Sequence, residues 1–293
     1  MDRLLIIGAS GLVGSRMSKL AEGKFEVSGT YFSHPMNGPN LYTLDTRDRS
    51  AVLKLIEKVK PDFVVDTHSL NNVDYAELHR NEAWDINVDG SRNLAEAAKQ
   101  FGSKYIFLST DYVFDGRKLK YTEKDKPHPL SYFAMTRVVT EQMLEAFDMN
   151  YVVARTAVVY GLGGLNKVSF AVWLINKLRA GEAVTIVNDQ KNNPTFADNL
   201  VAQLMALYEK DATGLFHVTG SQCISRFDFS KEIAKQFDLD VGLIRPITTP
   251  ELRQIAPRAA TVNMSSAKVE RLTGIPTLNV QEGLHQLHEQ MEG

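Results

Sequence analysis

The chain has 293 residues, 44% of them hydrophobic, and its 33 basic and 35 acidic side chains leave a formal charge of −2. Such a length can bury a core without staples, and the mixed, near-neutral charge offers no footprint for nucleic acid or an anionic membrane, so the expected partner is a small molecule. A single cysteine, Cys223, excludes an intramolecular disulfide and fits a reducing, cytoplasmic setting.

The apolar start Leu4-Leu5-Ile6-Ile7 is too short for a signal h-region or a membrane span, and Gly8 ends it at once. From there short apolar runs alternate with longer helical patterns, which predicts βαβ units and an α/β fold of the Rossmann type, with a doubly wound parallel sheet. Strands are expected at Arg3–Ile7, Phe25–Thr30, Phe63–Asp66, Tyr105–Ser109, Tyr151–Ala154 and Leu215–Thr219. Helices are expected at Gly11–Ala21, Ser50–Lys60, Ala83–Phe101 and Ser131–Phe147. Past Gly161 the order turns irregular, with a turn at Gly161, Gly163 and Gly164, an amphipathic stretch Ser169–Ala180, and Pro/Asn-rich loops. The reading is a dinucleotide-binding domain over 1–160 and a smaller C-terminal substrate-binding lobe over 161–293. No linker separates the two, so segments of the lobe are expected to return to the sheet.

The loop after the first strand, Gly8-Ala9-Ser10-Gly11-Leu12-Val13-Gly14, fits G-x-x-G-x-x-G between a buried strand and a helix. The first glycine permits the tight turn, the second lets backbone N–H groups approach a pyrophosphate, and the third allows close helix–strand packing. Gly8, Ser10, Gly11, Leu12, Val13 and Gly14 are therefore candidate cofactor contacts. An acidic residue about 20 positions on reads a ribose hydroxyl, and an arginine there accepts a 2′-phosphate. The end of the second strand, Gly29-Thr30-Tyr31-Phe32-Ser33-His34, carries neither, which leaves NAD and NADP both open. Leu44-Asp45-Thr46-Arg47-Asp48 places a carboxylate where dinucleotide folds of this class contact adenine, so Asp45 and Thr46 join the set; capping of the next helix by Asp48 or Thr46 is the alternative.

Further blocks follow in order: Asn72-Val73-Asp74 with Glu77, Ile86-Asn87-Val88-Asp89-Gly90, Ser109-Thr110-Asp111-Tyr112-Val113-Phe114-Asp115-Gly116, and Tyr121-Thr122-Glu123. Together with Arg155-Thr156, Val159-Tyr160-Gly161, Asp189-Gln190, Pro194-Thr195 and Ala256-Pro257-Arg258, they make nearly the whole chain resemble the dTDP-4-dehydrorhamnose reductase family of extended short-chain dehydrogenases. The resemblance implies NAD(P)-dependent reduction of a nucleotide-linked 4-keto-sugar in deoxysugar biosynthesis. That family also includes the regulatory β subunit of methionine adenosyltransferase, so a non-catalytic dinucleotide- or nucleotide-sugar-binding subunit is the rival reading. A sugar dehydratase or epimerase using the same cofactor is a third.

In the superfamily a Tyr-x-x-x-Lys pair serves the reacting oxygen, because the phenol donates a proton and a lysine one helical turn on lowers its pKa and holds the cofactor ribose. Here Phe133 stands at the tyrosine position and Arg137 at the lysine position. Phenylalanine has no proton to give, whereas arginine can still bond a ribose hydroxyl. Tyr132 is adjacent, but neighbouring helical residues point about 100° apart. The resemblance also implies a catalytic role for Thr110, at the end of the fourth expected strand; Asp111 beside it is a candidate acid if burial raises its pKa, with a turn or helix-capping carboxylate as the alternative, and Tyr132 and water are the other candidate proton sources. Asp66-Thr67-His68-Ser69-Leu70 departs from the family's alanine run, and His68 and Ser69 are candidate cofactor contacts. Arg155, Gln190, Asn193 and Arg258 are candidate contacts to a nucleotide diphosphate or sugar. No His/Cys/Asp/Glu set has metal-ligand spacing, and the oligomeric state stays open, a homodimer included.

Overall fold

A computed structural model describes residues 1–165 and 168–293. Seven parallel strands form the main sheet. Six of them are β1 (Arg3–Ile7), β2 (Glu26–Tyr31), β3 (Leu41–Thr43), β4 (Phe63–Asp66), β5 (Lys104–Thr110) and β6 (Tyr151–Thr156), and the seventh is Gly214–His217. The spatial order is seventh, β6, β5, β4, β1, β2, β3. Helices cover both faces, so the central strands read as continuous apolar runs. Alternate residues feed opposite cores: Leu4, Ile6, Phe63, Val65 and Ile106 pack with Met17, Leu200 and Leu204, whereas Leu5, Ile7, Val64, Tyr105 and Phe107 pack with Leu55, Ile56 and Leu94.

The six expected strands are present. β3 escapes a pattern search because it is a three-residue edge strand with no buried side chain. The helices are α1 (Leu12–Ala21), α2 (Arg49–Val59), α3 (Val73–Leu78), α4 (Arg80–Trp84), α5 (Gly90–Gln100), α6 (Tyr132–Ala146), α7 (Phe170–Arg179), α8 (Ala197–Glu209) and α9 (Arg226–Gln236), with shorter pieces beyond. The single helix expected over Ala83–Phe101 is interrupted by a π-helical turn, Asp85–Asp89, ahead of α5. That turn buries Asn87, which accepts from the Leu70 amide (2.8 Å) and donates to Thr136 Oγ1 (3.2 Å), tying the loop after β4 to α6. A π-bulge of this kind is a frequent mark of a functional site.

The second half of the chain builds its own core from Tyr160, Leu174, Ile175, Phe196, Phe229, Ile233, Leu284 and Leu287. It also re-enters the first: α8 lies along α1, joined by an ion pair of Arg16 and Asp198 at 2.5 Å, and Gly214–His217 adds to β6. The cleft between the two parts therefore sits over the carboxyl ends of the sheet strands, where open α/β folds bind ligands.

Candidate active site

The loop between β1 and α1 is shaped by its glycines. Gly8 has φ +87°, a left-handed conformation that strains any residue with a Cβ, and it accepts the Gly11 amide at 3.0 Å. A Cβ on Gly14 would lie 2.3 Å from the Gly8 carbonyl oxygen, so the third glycine is fixed by backbone contact. α1 starts at Gly11 with no side-chain cap, and its first amides stay available to an anion, which is the arrangement a pyrophosphate fits. Gly14→Ala is expected to separate α1 from the loop, costing about 1–3 kcal/mol of stability. Thermal melting and titration with NADPH would show a lower Tm together with a loss of dinucleotide affinity.

In the loop after β3, Asp45 is held by Arg47, whose Nε and Nη2 donate to it at 2.9 and 2.6 Å, while Arg47 also lies over the Phe32 ring, 5.8 Å from its centroid. The hydrogen bond from Arg47 holds the Asp45 carboxyl below its usual range despite partial burial. Asp48 caps α2 by accepting the Ala51 amide at 3.0 Å. Thr46 is buried, its carbonyl accepting from Asn93 at 3.0 Å.

The end of β4 carries a buried polar network. Asp66 is fully enclosed and accepts from Tyr105 Oη (2.5 Å), Ser91 Oγ (3.0 Å) and the His68 ring. The other ring nitrogen of His68 faces the Ile86 carbonyl oxygen at 2.9 Å. Both ring nitrogens are thus held by acceptors. The His68 backbone passes close to the phosphate loop, where a Cβ on Gly8 would meet it at 3.3 Å, while the imidazole lies against the start of α5, where a Cβ on Gly90 would meet its Nε2 at 3.1 Å. Ser69 reaches only Asn87, at 3.4 Å.

Helix α6 is capped by Ser131 and presents Phe133 and Arg137 one turn apart. Arg137 is 3% exposed, its guanidinium stacked between the Phe107 ring (5.2 Å) and the Phe133 ring (5.6 Å). One arm donates to the His68 carbonyl at 3.2 Å, and the other, Nη1, is buried without a partner among the described residues. Burial pushes its pKa down to about 10, Asp66 opposing, so it remains a cation. A buried N–H without an acceptor calls for one, and a ribose hydroxyl of a dinucleotide lying on the glycine loop has that chemistry. Tyr132 is half-buried with Arg80 over its ring at 5.1 Å, and its amide is held by Glu77 at 2.8 Å.

Thr110 ends β5, and its hydroxyl donates to Asp111 Oδ1 at 3.1 Å while accepting the Tyr112 amide at 3.2 Å. Asp111 is 4% exposed. Burial pushes its carboxyl up to about 6, against the Thr110 hydrogen bond and the positive charge of Arg226. Next to it Tyr112 enters the wall of a cavity of about 570 Å³, whose other walls include Phe170, Trp173, Gln190, Arg226 and Arg258. Gln190 bonds Thr249 and Gln254 there, and Arg258 pairs with Asp74 at 2.8 Å.

The family model for the RmlD substrate binding domain matches residues 1–292. The chain belongs to that family. The dTDP-4-dehydrorhamnose reductase of Aggregatibacter actinomycetemcomitans is 30% identical over 306 residues, covering both chains completely. A dTDP-4-dehydrorhamnose reductase from Bacillus anthracis, solved in complex with NADP, superposes with a TM-score of 0.88 at 25% identity over 99% of each chain. Methionine adenosyltransferase 2 subunit beta of Bos taurus is 28% identical over 271 residues, covering 90% of this chain and 80% of that one.

For this RmlD-family chain two expected substrate contacts need correction. Arg155 is 2% exposed and forms a two-pronged ion pair with Glu141, at 2.9 and 2.5 Å, over the Phe114 ring. Asn193 is fully buried, donating to the Gly220 carbonyl (3.1 Å) and accepting the Met264 amide (2.9 Å). Both groups are consumed by the protein itself, Arg155 by a neighbouring carboxylate and Asn193 by two loops it joins. His217, fully buried with both ring nitrogens unpartnered among the described residues, is kept neutral by burial and by the charge of Arg155, its pKa down at about 3. Sequence reasoning missed Tyr112, Phe170, Trp173 and Arg226 as cavity walls, because they come from three separate elements with no shared spacing. Among the described residues no group of three His, Cys, Asp or Glu side chains is placed to hold a metal.

Proposed function

We propose that this chain reduces the keto group of a nucleotide-linked 4-keto-sugar, with the Asp111 carboxyl supplying the proton that a tyrosine supplies elsewhere in the superfamily. The observation that carries the reading is a buried acid, retaining its proton up to about pH 6, bonded to the Thr110 hydroxyl at the carboxyl edge of the sheet. The glycine loop Gly8–Gly14 would hold the linked phosphates, Asp45 and Thr46 the adenine, the His68–Ser69 backbone and Arg137 the nicotinamide ribose. A reduced nicotinamide dinucleotide, when bound, supplies the hydride. Thr110 orients the carbonyl oxygen, and Asp111 gives it a proton as negative charge develops there. Gln190 and Arg258 line the cavity on the sugar-nucleotide side.

The test is oxidation of NADH and NADPH in the presence of dTDP-4-dehydrorhamnose. Turnover with one or both is expected; silence from protein shown to bind the dinucleotide would end the catalytic reading. One observation favours a second reading, a regulatory subunit: Phe133 and Arg137 together remove the phenol and its lysine from α6. The double substitution Phe133→Tyr, Arg137→Lys separates the two, since a gain of ketone reduction from a silent parent supports the regulatory reading and a parent already active excludes it.

A further inference from the structure

Of the two arginines in the cavity wall, Arg258 is neutralised by Asp74, with 2.8 Å between the charged atoms. Arg226 is different. It opens α9 immediately after the capping residue Ser225, and its backbone amide is fixed to the Gln190 carbonyl at 3.0 Å. Its guanidinium rests on the Phe170 ring, 4.8 Å from the centroid, and its side chain makes no ion pair or hydrogen bond among the described residues. A half-buried guanidinium stacked on an aromatic face keeps its planar fork free and loses part of its hydration, which suits a two-oxygen anion. Beside Thr185, Gln190 and Gln254 the cavity has an apolar, aromatic side: Phe170 and Trp173 lie 5.8 Å apart at 31°, joined by Ile186, Val187 and Leu252. Such a lining leaves one strong attraction for anions and a wall for a planar ring.

We propose that Arg226 anchors the diphosphate of the sugar nucleotide, with the base lying against the Phe170–Trp173 side of the cavity. This rests on the reading of the substrate as a nucleotide-linked sugar and names the group that holds it.

The experiment is calorimetric titration of the whole chain with thymidine and with dTDP. The wild type is expected to bind dTDP at least about 30-fold more tightly than thymidine, in line with charge-assisted hydrogen bonds to a phosphate. Arg226→Met should bring the two within about threefold while leaving thymidine and NADPH affinities unchanged, and Arg226→Lys should restore part of the difference. Unchanged dTDP affinity in Arg226→Met overturns the anchor. A wild type that binds NADPH but neither thymidine nor dTDP overturns the sugar-nucleotide reading instead.

Discussion

Asp111→Asn should lower kcat by about 100- to 10,000-fold, the range for removing a general acid, while NADPH affinity stays within about twofold. The amide keeps the shape and the contact with Thr110 but has no acidic proton. The pH profile gives the sign. The acid form is required and its pKa lies near 6, so wild-type kcat/KM should fall about tenfold per unit as pH rises from roughly 6.5 to 8.5, and the residual rate of the variant should be flat. The variant's stability should change in the opposite direction to its rate. The folded carboxyl holds its proton more tightly than the unfolded one, about 6 against 3.8, so it contributes stability below pH 3.8 that is lost as pH rises through 6. At pH 7.5 the neutral amide relieves that penalty, and the variant should be more stable and melt higher, with a gain on the order of 3 kcal/mol from a shift of 3.8 to about 6 at about 1.4 kcal/mol per pH unit. A variant that is slower and yet more stable is the signature of a carboxyl buried for chemistry. Equal loss in Tyr132→Phe with an unaffected Asp111→Asn would move the proton donor to the phenol.

How much of this was visible in the sequence follows from the range of the forces concerned. Gly8 to Gly14 and the central strands were legible because backbone conformation and burial on both faces restrict residue type locally, within a few positions. The loss of the phenol at Phe133 was legible for the same reason, since one helical turn fixes the pairing with Arg137. β3 was not, because three half-exposed residues carry no period. The π-turn at Asp85–Asp89 was not, because what it provides, a buried Asn87 between the loop after β4 and α6, is a tertiary contact. The substrate wall shows the limit most clearly. Arg155 and Arg226 are the same residue type, yet among the described residues one forms a two-pronged ion pair and the other forms none, and the difference depends on whether a carboxylate 14 residues away along the chain folds back onto it.

That carboxylate gives the second large effect. Glu141 accepts from Ser109 at 2.5 Å as well as from Arg155, so α6 is joined to β5 and β6 by charge-assisted bonds in a nearly dry interior. Glu141→Ala would leave the Arg155 guanidinium, already carrying one unpartnered arm, with no countercharge, and should cost about 3–5 kcal/mol. For a chain of this size that lowers Tm by roughly 10 °C. Replacing both partners is the informative contrast. In Glu141→Leu combined with Arg155→Met neither charge is stranded, and most of the lost stability should return. If Arg155 only braces α6 against the sheet, this double variant binds dTDP as the wild type does. A folded double variant whose dTDP affinity has dropped tenfold or more would return Arg155 to the substrate site, because a bracing role alone gives a refolded cavity no reason to lose its ligand.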